Sequence, residues 1–319
     1  MLYNILPETA QGYQLPVAMA FCFVLTFILL LHINKFLPRD GGRAFAVDGE
    51  KSAGKPRGAG IIFIPVFTTI ASIFAPMSTE TGFYLILVLI AMMTGFLDDI
   101  SKSPWGEYLK GALDLVVAIL TTIVFMTNNS TEIVFAVFNR SFVMPPILFG
   151  ILAVVVIWVS INVTNCSDGV DGLSGSVSIA TLMGFFVIIQ KIGISEDFAP
   201  LILILITGLC AYLWFNATPS KLMMGDAGSR AIGLFIAICA LKTQDPFLFL
   251  QLALVMLLDG GLGLLKVFLL RFLKIHILKK VRTPLHDHVR KVWGWSNTQC
   301  VYRFTIIQIV ICATVYFLV

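Results

Sequence analysis

Residues 162–175 carry two asparagines, two aspartates and three glycines between two long apolar runs. Asn162, Asn165, Asp168, Gly169 and Asp171 are the candidate binding residues of this stretch. Ionisable groups at membrane depth are costly and usually mark a site, and glycine lets a ligand approach backbone N–H groups. Asp168 and Asp171 are three apart, so a helical turn puts them on one face. An N-cap and turn is the plain alternative for them. Other acidic groups recur at comparable points. Asp98 and Asp99 close one apolar run, and Asp226 opens another within Met224-Gly225-Asp226-Ala227-Gly228-Ser229. Neighbours on a helix point about 100° apart, so Asp98 and Asp99 serve different partners. A carboxylate at a helix C-terminus also faces the unfavourable end of the dipole. The glycine-punctuated loop around Asp226 suits phosphate and a hard cation, since Mg²⁺ takes one or two carboxylates plus substrate phosphates. His286 and His288 lack the third ligand of a zinc site. Among Arg282, Arg290 and Lys291 they suit a phosphate or polar head group. Lys110 reads either as a phosphate-binding lysine beside the aspartate pair or as an i,i+4 partner of Asp114. Carboxylates, a dication and basic side chains at a membrane boundary point to phosphoryl chemistry between a water-soluble and a lipid substrate.

The elements that hold these residues follow from composition. The chain has 319 residues, 58% hydrophobic and 13% charged, with mean hydropathy +0.93. A soluble domain is nearer half apolar and a quarter charged. We read residues 1–319 as one all-α polytopic membrane domain. About ten segments approach spanning length, near 15–36, 59–76, 81–97, 110–127, 145–161, 173–190, 198–216, 229–241, 248–270 and 301–319. The ninth should bend or break at Asp259-Gly260-Gly261. The first run lacks the basic n-region and cleavage site of a signal peptide. With the loop after the first segment taken as cytoplasmic, alternate loops hold 18 Lys and Arg on that side against three on the other, with Lys266 inside a helix. This asymmetry orients the chain, with both termini outside. Every acidic cluster named above then falls on the cytoplasmic face, although orientation used Lys and Arg alone. The six cysteines form no C-x-x-C pair or secreted framework. Dispersed rim charge suits anionic lipid rather than nucleic acid.

Gly95-Phe96-Leu97-Asp98-Asp99, the 162–173 stretch, Trp214-Phe215-Asn216-Ala217, Met224–Ser229 and Pro284-Leu285-His286-Asp287-His288 resemble, in order and spacing, the polar loops of the polyprenyl-phosphate N-acetylhexosamine-1-phosphate transferases. The resemblance covers about 55 to 305. Pro284-Leu285-His286, Gly294-Trp295-Ser296 and Val301-Tyr302-Arg303-Phe304 are most similar to the members that transfer phospho-N-acetylmuramoyl-pentapeptide. The resemblance implies a UDP-linked amino-sugar donor, undecaprenyl phosphate as acceptor, lipid I and UMP as products, Mg²⁺, ten membrane helices in the plasma membrane and a homodimer. It assigns Asp98, Asp99 and Asp226 to catalysis, with Asp226 as the Mg²⁺ ligand. Lys110 matches the family's lysine after the aspartate pair. Asn165, Asp168, Gly169, Asp171 and Asn216 would line the nucleoside side, and His286 and His288 would lie near the donor. Met223 stands where a uracil-stacking Phe is usual, and Asp287 where the family has a histidine. Lys55-Pro56-Arg57-Gly58-Ala59-Gly60 is closer to relatives that use UDP-N-acetylglucosamine, which leaves that donor as the alternative. A transporter, the other class considered, would place paired polar groups in broken helices near mid-bilayer, and only Asp259 and Lys266 fit it.

Overall fold

The computed structural model describes residues 8–42, 49–101, 103, 105–135, 138 and 140–319. Arg43 and Lys102, two of the basic residues counted above, lie outside this set, as does the side chain of Lys51. Helices α1 (Glu8–Ile33), α2 (Gly60–Phe74), α3 (Thr79–Asp99) and α4 (Glu107–Asn128) lead to a hairpin of β1 (Glu132–Phe135) and β2 (Arg140–Val143). Then come α5 (Pro146–Cys166), α6 (Leu173–Ile192), α7 (Ala199–Asn216) and α8 (Gly225–Lys242). A broken run of α9 (Pro246–Leu252), α10 (Leu254–Met256) and α11 (Leu262–Phe268) precedes α12 (Leu285–Lys291) and α13 (Asn297–Leu318). Each of the ten predicted segments coincides with one of these helices or with the broken run.

Among the described residues, seven helices are long and apolar enough to cross a bilayer: α1, α3 to α7 and α13. The chain is therefore a multi-pass, almost entirely helical membrane protein. The broken run makes an eighth such element if taken as one span. Helix α2 has 15 residues, or about 22 Å at 1.5 Å per residue, short of the roughly 30 Å hydrocarbon core. Helix α8 carries Asp226, Arg230 and Lys242 in 18 residues, all buried. It packs on α2, α3, α5 and α6, so its charged groups meet protein rather than lipid. Close packing is needed there: a Cβ on Gly95 of α3 would collide with the Asp226 carbonyl.

The structure corrects one expectation. The broken run bends by 71° between Leu252 and Leu254, not at Asp259-Gly260-Gly261. The glycines instead lie in a π turn, Leu257–Gly261. The break is at Ala253 because Gln308 of α13 satisfies both sides of it. Its amide nitrogen donates to Leu252 O at 2.6 Å and its Oε1 accepts from Val255 N–H at 3.1 Å. A side chain inserted in the ladder is a recognised cause of a kink. The structure also adds the short hairpin to an otherwise helical chain. Ile133, Val134 and Phe135 favour extended backbone, and Val134 N–H reaches Gln244 O at 2.9 Å, tying the hairpin to the end of α8.

Candidate active site

The start of α8 is where the acidic clusters meet. Both oxygens of Asp99 accept from α8 backbone, Oδ1 from Asp226 N–H at 3.1 Å and Oδ2 from Ala227 N–H at 3.0 Å. Asp99 thus caps α8 from another helix, where free N–H groups and the positive dipole end favour an anion. Asp98 points elsewhere, as adjacency requires. Its Oδ1 accepts from Trp105 N–H at 2.8 Å, and its Oδ2 is ion-paired to Lys110. Asp226 meets three cations: Arg57 at 3.2 Å, Lys110 at 3.1 Å and Arg230 at 3.4 Å. Arg230 also holds Asp114 at 3.1 Å. Of the two readings of Lys110, the i,i+4 pair with Asp114 does not form, and Lys110 lies between Asp98 and Asp226.

Arg57 also lies 2.8 Å from Asp99 Oδ1 through Nε, a close ion pair whose Nε–H is not aimed as a hydrogen bond. Burial works against the Arg57 charge, but Asp99, Asp226, Asp40 and Asp168 outweigh it and raise its pKa above the usual arginine value. It remains cationic at any working pH. The cluster holds four carboxylates (Asp98, Asp99, Asp114, Asp226) against three cations (Arg57, Lys110, Arg230). By formal charge this cluster carries one negative charge in excess.

The 162–175 stretch lies alongside. Asn165 Nδ2 donates to Ser229 Oγ in the first turn of α8 at 2.9 Å. Asp171 accepts from Lys55 at 3.3 Å and from Ser220 N–H at 3.3 Å, while Lys55 also reaches Ser220 Oγ at 2.8 Å. Asp168 and Gly169 are half-buried between these groups and α12. The buried amide of Asn216 is engaged at both ends, accepting from Gly172 N–H and donating to Leu222 O, both at 2.8 Å. It shapes the loop from within. Asn162 lies a turn back on α5, 3.4 Å from Asp114. Half-buried Met223 pairs with the 55–60 loop, its N–H donating to Pro56 O at 2.8 Å and its carbonyl accepting from Ala59 N–H at 3.0 Å. That loop clasps both halves of the site, with Lys55 on one and Arg57 on the other.

His286 is buried against Asp259 and against the Gly169 backbone. His288 is half-buried and turns to other partners, its Nδ1 accepting from Arg282 N–H at 3.2 Å and its ring lying 5.8 Å from Trp293. Asp287 pairs with buried Arg290 at 2.7 Å. Asp259 and Lys266 do not form a mid-membrane pair: Lys266 donates to Leu278 O and Val281 O. The observation that favoured a transporter is thereby lost. Sequence reasoning left Lys55, Arg57, Asp114, Arg230 and Asp259 out of the site. Lys55 and Arg57 read as rim charge from sequence, and the Lys-Pro-Arg-Gly loop directly before an apolar run is the signal that distinguishes them.

Among the described residues, no three His, Cys, Asp or Glu side chains form a ready metal cage. Mg²⁺ needs only one or two carboxylates when phosphates complete its shell. Asp226, beside Asp98 in a site of oxygen donors with one negative charge in excess, fits that requirement.

The model of glycosyl transferase family 4 matches residues 82–244. A phospho-N-acetylmuramoyl-pentapeptide-transferase of Treponema pallidum (strain Nichols) is 41% identical over 304 residues, covering 90% of this chain and 84% of that protein. The chain belongs to glycosyl transferase family 4. It is also similar to phospho-N-acetylmuramoyl-pentapeptide-transferases of Clostridium botulinum (strain Eklund 17B / Type B), 30% identical over 92% of this chain and 91% of that protein, and of Dictyoglomus turgidum, 28% identical over 90% and 92%. The segment matched by the family model runs from α3 through α8. It holds Asp98, Asp99, Lys110, the 162–175 stretch and Asp226, while Lys55, Arg57, Asp259 and His286 fall outside it.

Proposed function

We propose that this chain transfers phospho-N-acetylmuramoyl-pentapeptide from its UDP carrier to undecaprenyl phosphate, giving lipid I and UMP. The observation that carries the reaction class is Asp98, Asp99, Asp226, Lys110 and Arg57 converging on the start of one buried helix. The donor assignment is supported by the relatives' names at 41% identity over most of the chain. An oxygen of the lipid phosphate attacks the sugar-bearing phosphorus of the donor. The bond from that phosphorus to the bridging oxygen breaks, and UMP leaves with the electron pair. A phosphate monoester loses its second proton near pH 6, so the acceptor is largely a dianion already. The main obstacle is repulsion between the acceptor and the donor pyrophosphate.

Lys110 and Arg57 answer that repulsion, and their carboxylate partners fix their positions in advance, which is how such sites stabilise developing charge. We assign Asp98 to the acceptor side, where it holds Lys110 and takes any residual phosphate proton. Asp99 supports the site by capping α8. Asn162, Asn165, Asp168, Gly169, Asp171, Asn216 and Met223 form the donor half, with His286 and His288 at its rim. Mg²⁺, bound by Asp226, would neutralise phosphate oxygens. Transfer is direct on this reading, and a phosphosugar adduct trapped on an aspartate would contradict it. The Lys and Arg rim supports a cytoplasmic-facing site in the plasma membrane, with ten spans, both termini outside and a homodimer.

The deciding assay measures UMP release by purified protein with undecaprenyl phosphate and either UDP-N-acetylmuramoyl-pentapeptide or UDP-N-acetylglucosamine. Turnover of the first supports the assignment. Turnover of the second alone overturns it in favour of N-acetylglucosamine-1-phosphate transfer, the reading suggested by the form of the 55–60 loop.

A further inference from the structure

Asp259 is a buried carboxylate that the mechanism above does not use. It projects from the π turn of the broken run and is 2% exposed. Gly260 seats that turn against the end of α5, where an added Cβ would lie 2.6 Å from Val163 O. The donor stretch starts at this same helix end. Asp259 engages His286 three times: His286 backbone N–H donates to Oδ1 at 2.8 Å, and ring Nδ1 lies 3.0 Å from Oδ1 and 2.9 Å from Oδ2. A carboxylate in its ionised form only accepts, and this geometry is the one that a hydrogen on Nδ1 would satisfy. On the other edge of the ring, Nε2 lies so close to Gly169 that a Cβ there would collide with it. Asp287 Oδ1 is 3.9 Å from Nε2, beyond hydrogen-bond reach, and is held by Arg290. Arg290 in turn donates to His286 O and to Asn297 Oδ1.

We propose that Asp259 is a positioning residue for the donor site: it locks the His286 ring with a proton on Nδ1 and so presents Nε2 to the Asp168-Gly169 loop, where the UDP-sugar is held. Carboxylates commonly fix the tautomer and orientation of a working histidine in this way. The π turn brings a buried carboxylate against α12, and such turns recur at functional sites. The inference rests on the donor reading given above.

The experiment is a double-mutant cycle of Asp259→Asn and His286→Asn, read as equilibrium binding of UDP-N-acetylmuramoyl-pentapeptide to purified protein, with KM for undecaprenyl phosphate measured alongside. Asp259→Asn should weaken donor binding about tenfold and leave the acceptor KM unchanged. In the His286→Asn background it should add nothing, because its effect passes through that ring. Unchanged donor binding, or full additivity of the two substitutions, overturns the inference. If Asp259→Asn does not fold, ¹⁵N NMR of histidine-labelled wild type decides, with the His286 signals assigned by their loss in His286→Asn. A protonated Nδ1 is expected, and a neutral ring carrying its proton on Nε2 overturns the inference. A folded wild type that binds no muramoyl-pentapeptide donor defeats the functional reading and this inference with it, whereas binding by the wild type with an Nε2 tautomer defeats the inference alone.

Discussion

Asp226 faces Arg57, Lys110 and Arg230 at once, and this crowding sets what each substitution does. Lys110 is about a quarter exposed and bridges Asp98 to Asp226 at the mouth. Lys110→Gln should lower UMP release by about two orders of magnitude, the usual size of losing one preorganised charge-stabilising donor, and should lower the melting temperature as well, because buried Asp98 loses its cation. Arg230 is 2% exposed and neutralises Asp114 and Asp226 together. Arg230→Met strands buried Asp114, while Asp226 keeps Arg57 and Lys110, so it should cost about 3–5 kcal/mol of stability, read by thermal unfolding in detergent. Chelation by EDTA should abolish UMP release and added Mg²⁺ should restore it; full activity in EDTA would remove the metal from the mechanism. Asp98, Asp99, Asp226 and Lys110 stand out in the sequence as candidates because charge inside apolar sequence is rare and costly, and the structure brings the four together. Their partners do not stand out. Arg57 and Asp226 are 169 residues apart, Arg230 and Asp114 are 116 apart, and no local pattern reports such a pairing.

Helix α8 and the broken run show what elements add to residues. The sequence marks α8 as short and charged, a poor membrane span taken alone. Complete burial makes those charges tolerable, and the Asp99 cap from α3 fixes the end at which they work. Gly95→Val would push α3 away from the Asp226 backbone and lose that cap. We expect it to abolish UMP release and lower the melting temperature, as overpacked cores do. The broken run was foreseen but its hinge was not. Glycines promise a weak point, yet the bend goes to Ala253 because Gln308 satisfies the groups exposed there. Gln308→Leu should leave Leu252 O and Val255 N–H unpaired in a buried site, at roughly 1–3 kcal/mol each, and the same unfolding measurement checks it.

For the whole molecule, the acidic cluster at one end of α8 is matched by a different polar centre at the other. Lys242 lies 3.0 Å from Glu80, which accepts from Asn129 at 2.6 Å and from Tyr84 Oη at 2.7 Å. This clasp joins α3, α4 and α8 opposite the site and leaves the two ends of the bundle chemically distinct. If the Lys and Arg rim faces the cytoplasm, a Cys introduced as Glu196→Cys should react with a membrane-impermeant thiol reagent in intact cells. Lys279→Cys should react only after permeabilisation. The opposite pattern would invert the proposed orientation.

Hydropathy, the Lys and Arg asymmetry and the polar loops were enough to read a helical membrane enzyme of phosphoryl transfer. These properties are local or additive along the chain, and the bilayer punishes every exception to them. Only the tertiary structure decided that Lys110 serves Asp98 and Asp226 rather than Asp114, that Asp99 caps α8, that Arg57 reaches across from the N-terminal loop, and that Asp259 holds His286. Ion pairs and caps depend on a few ångströms between segments far apart in sequence, and that proximity exists only once the helices have packed.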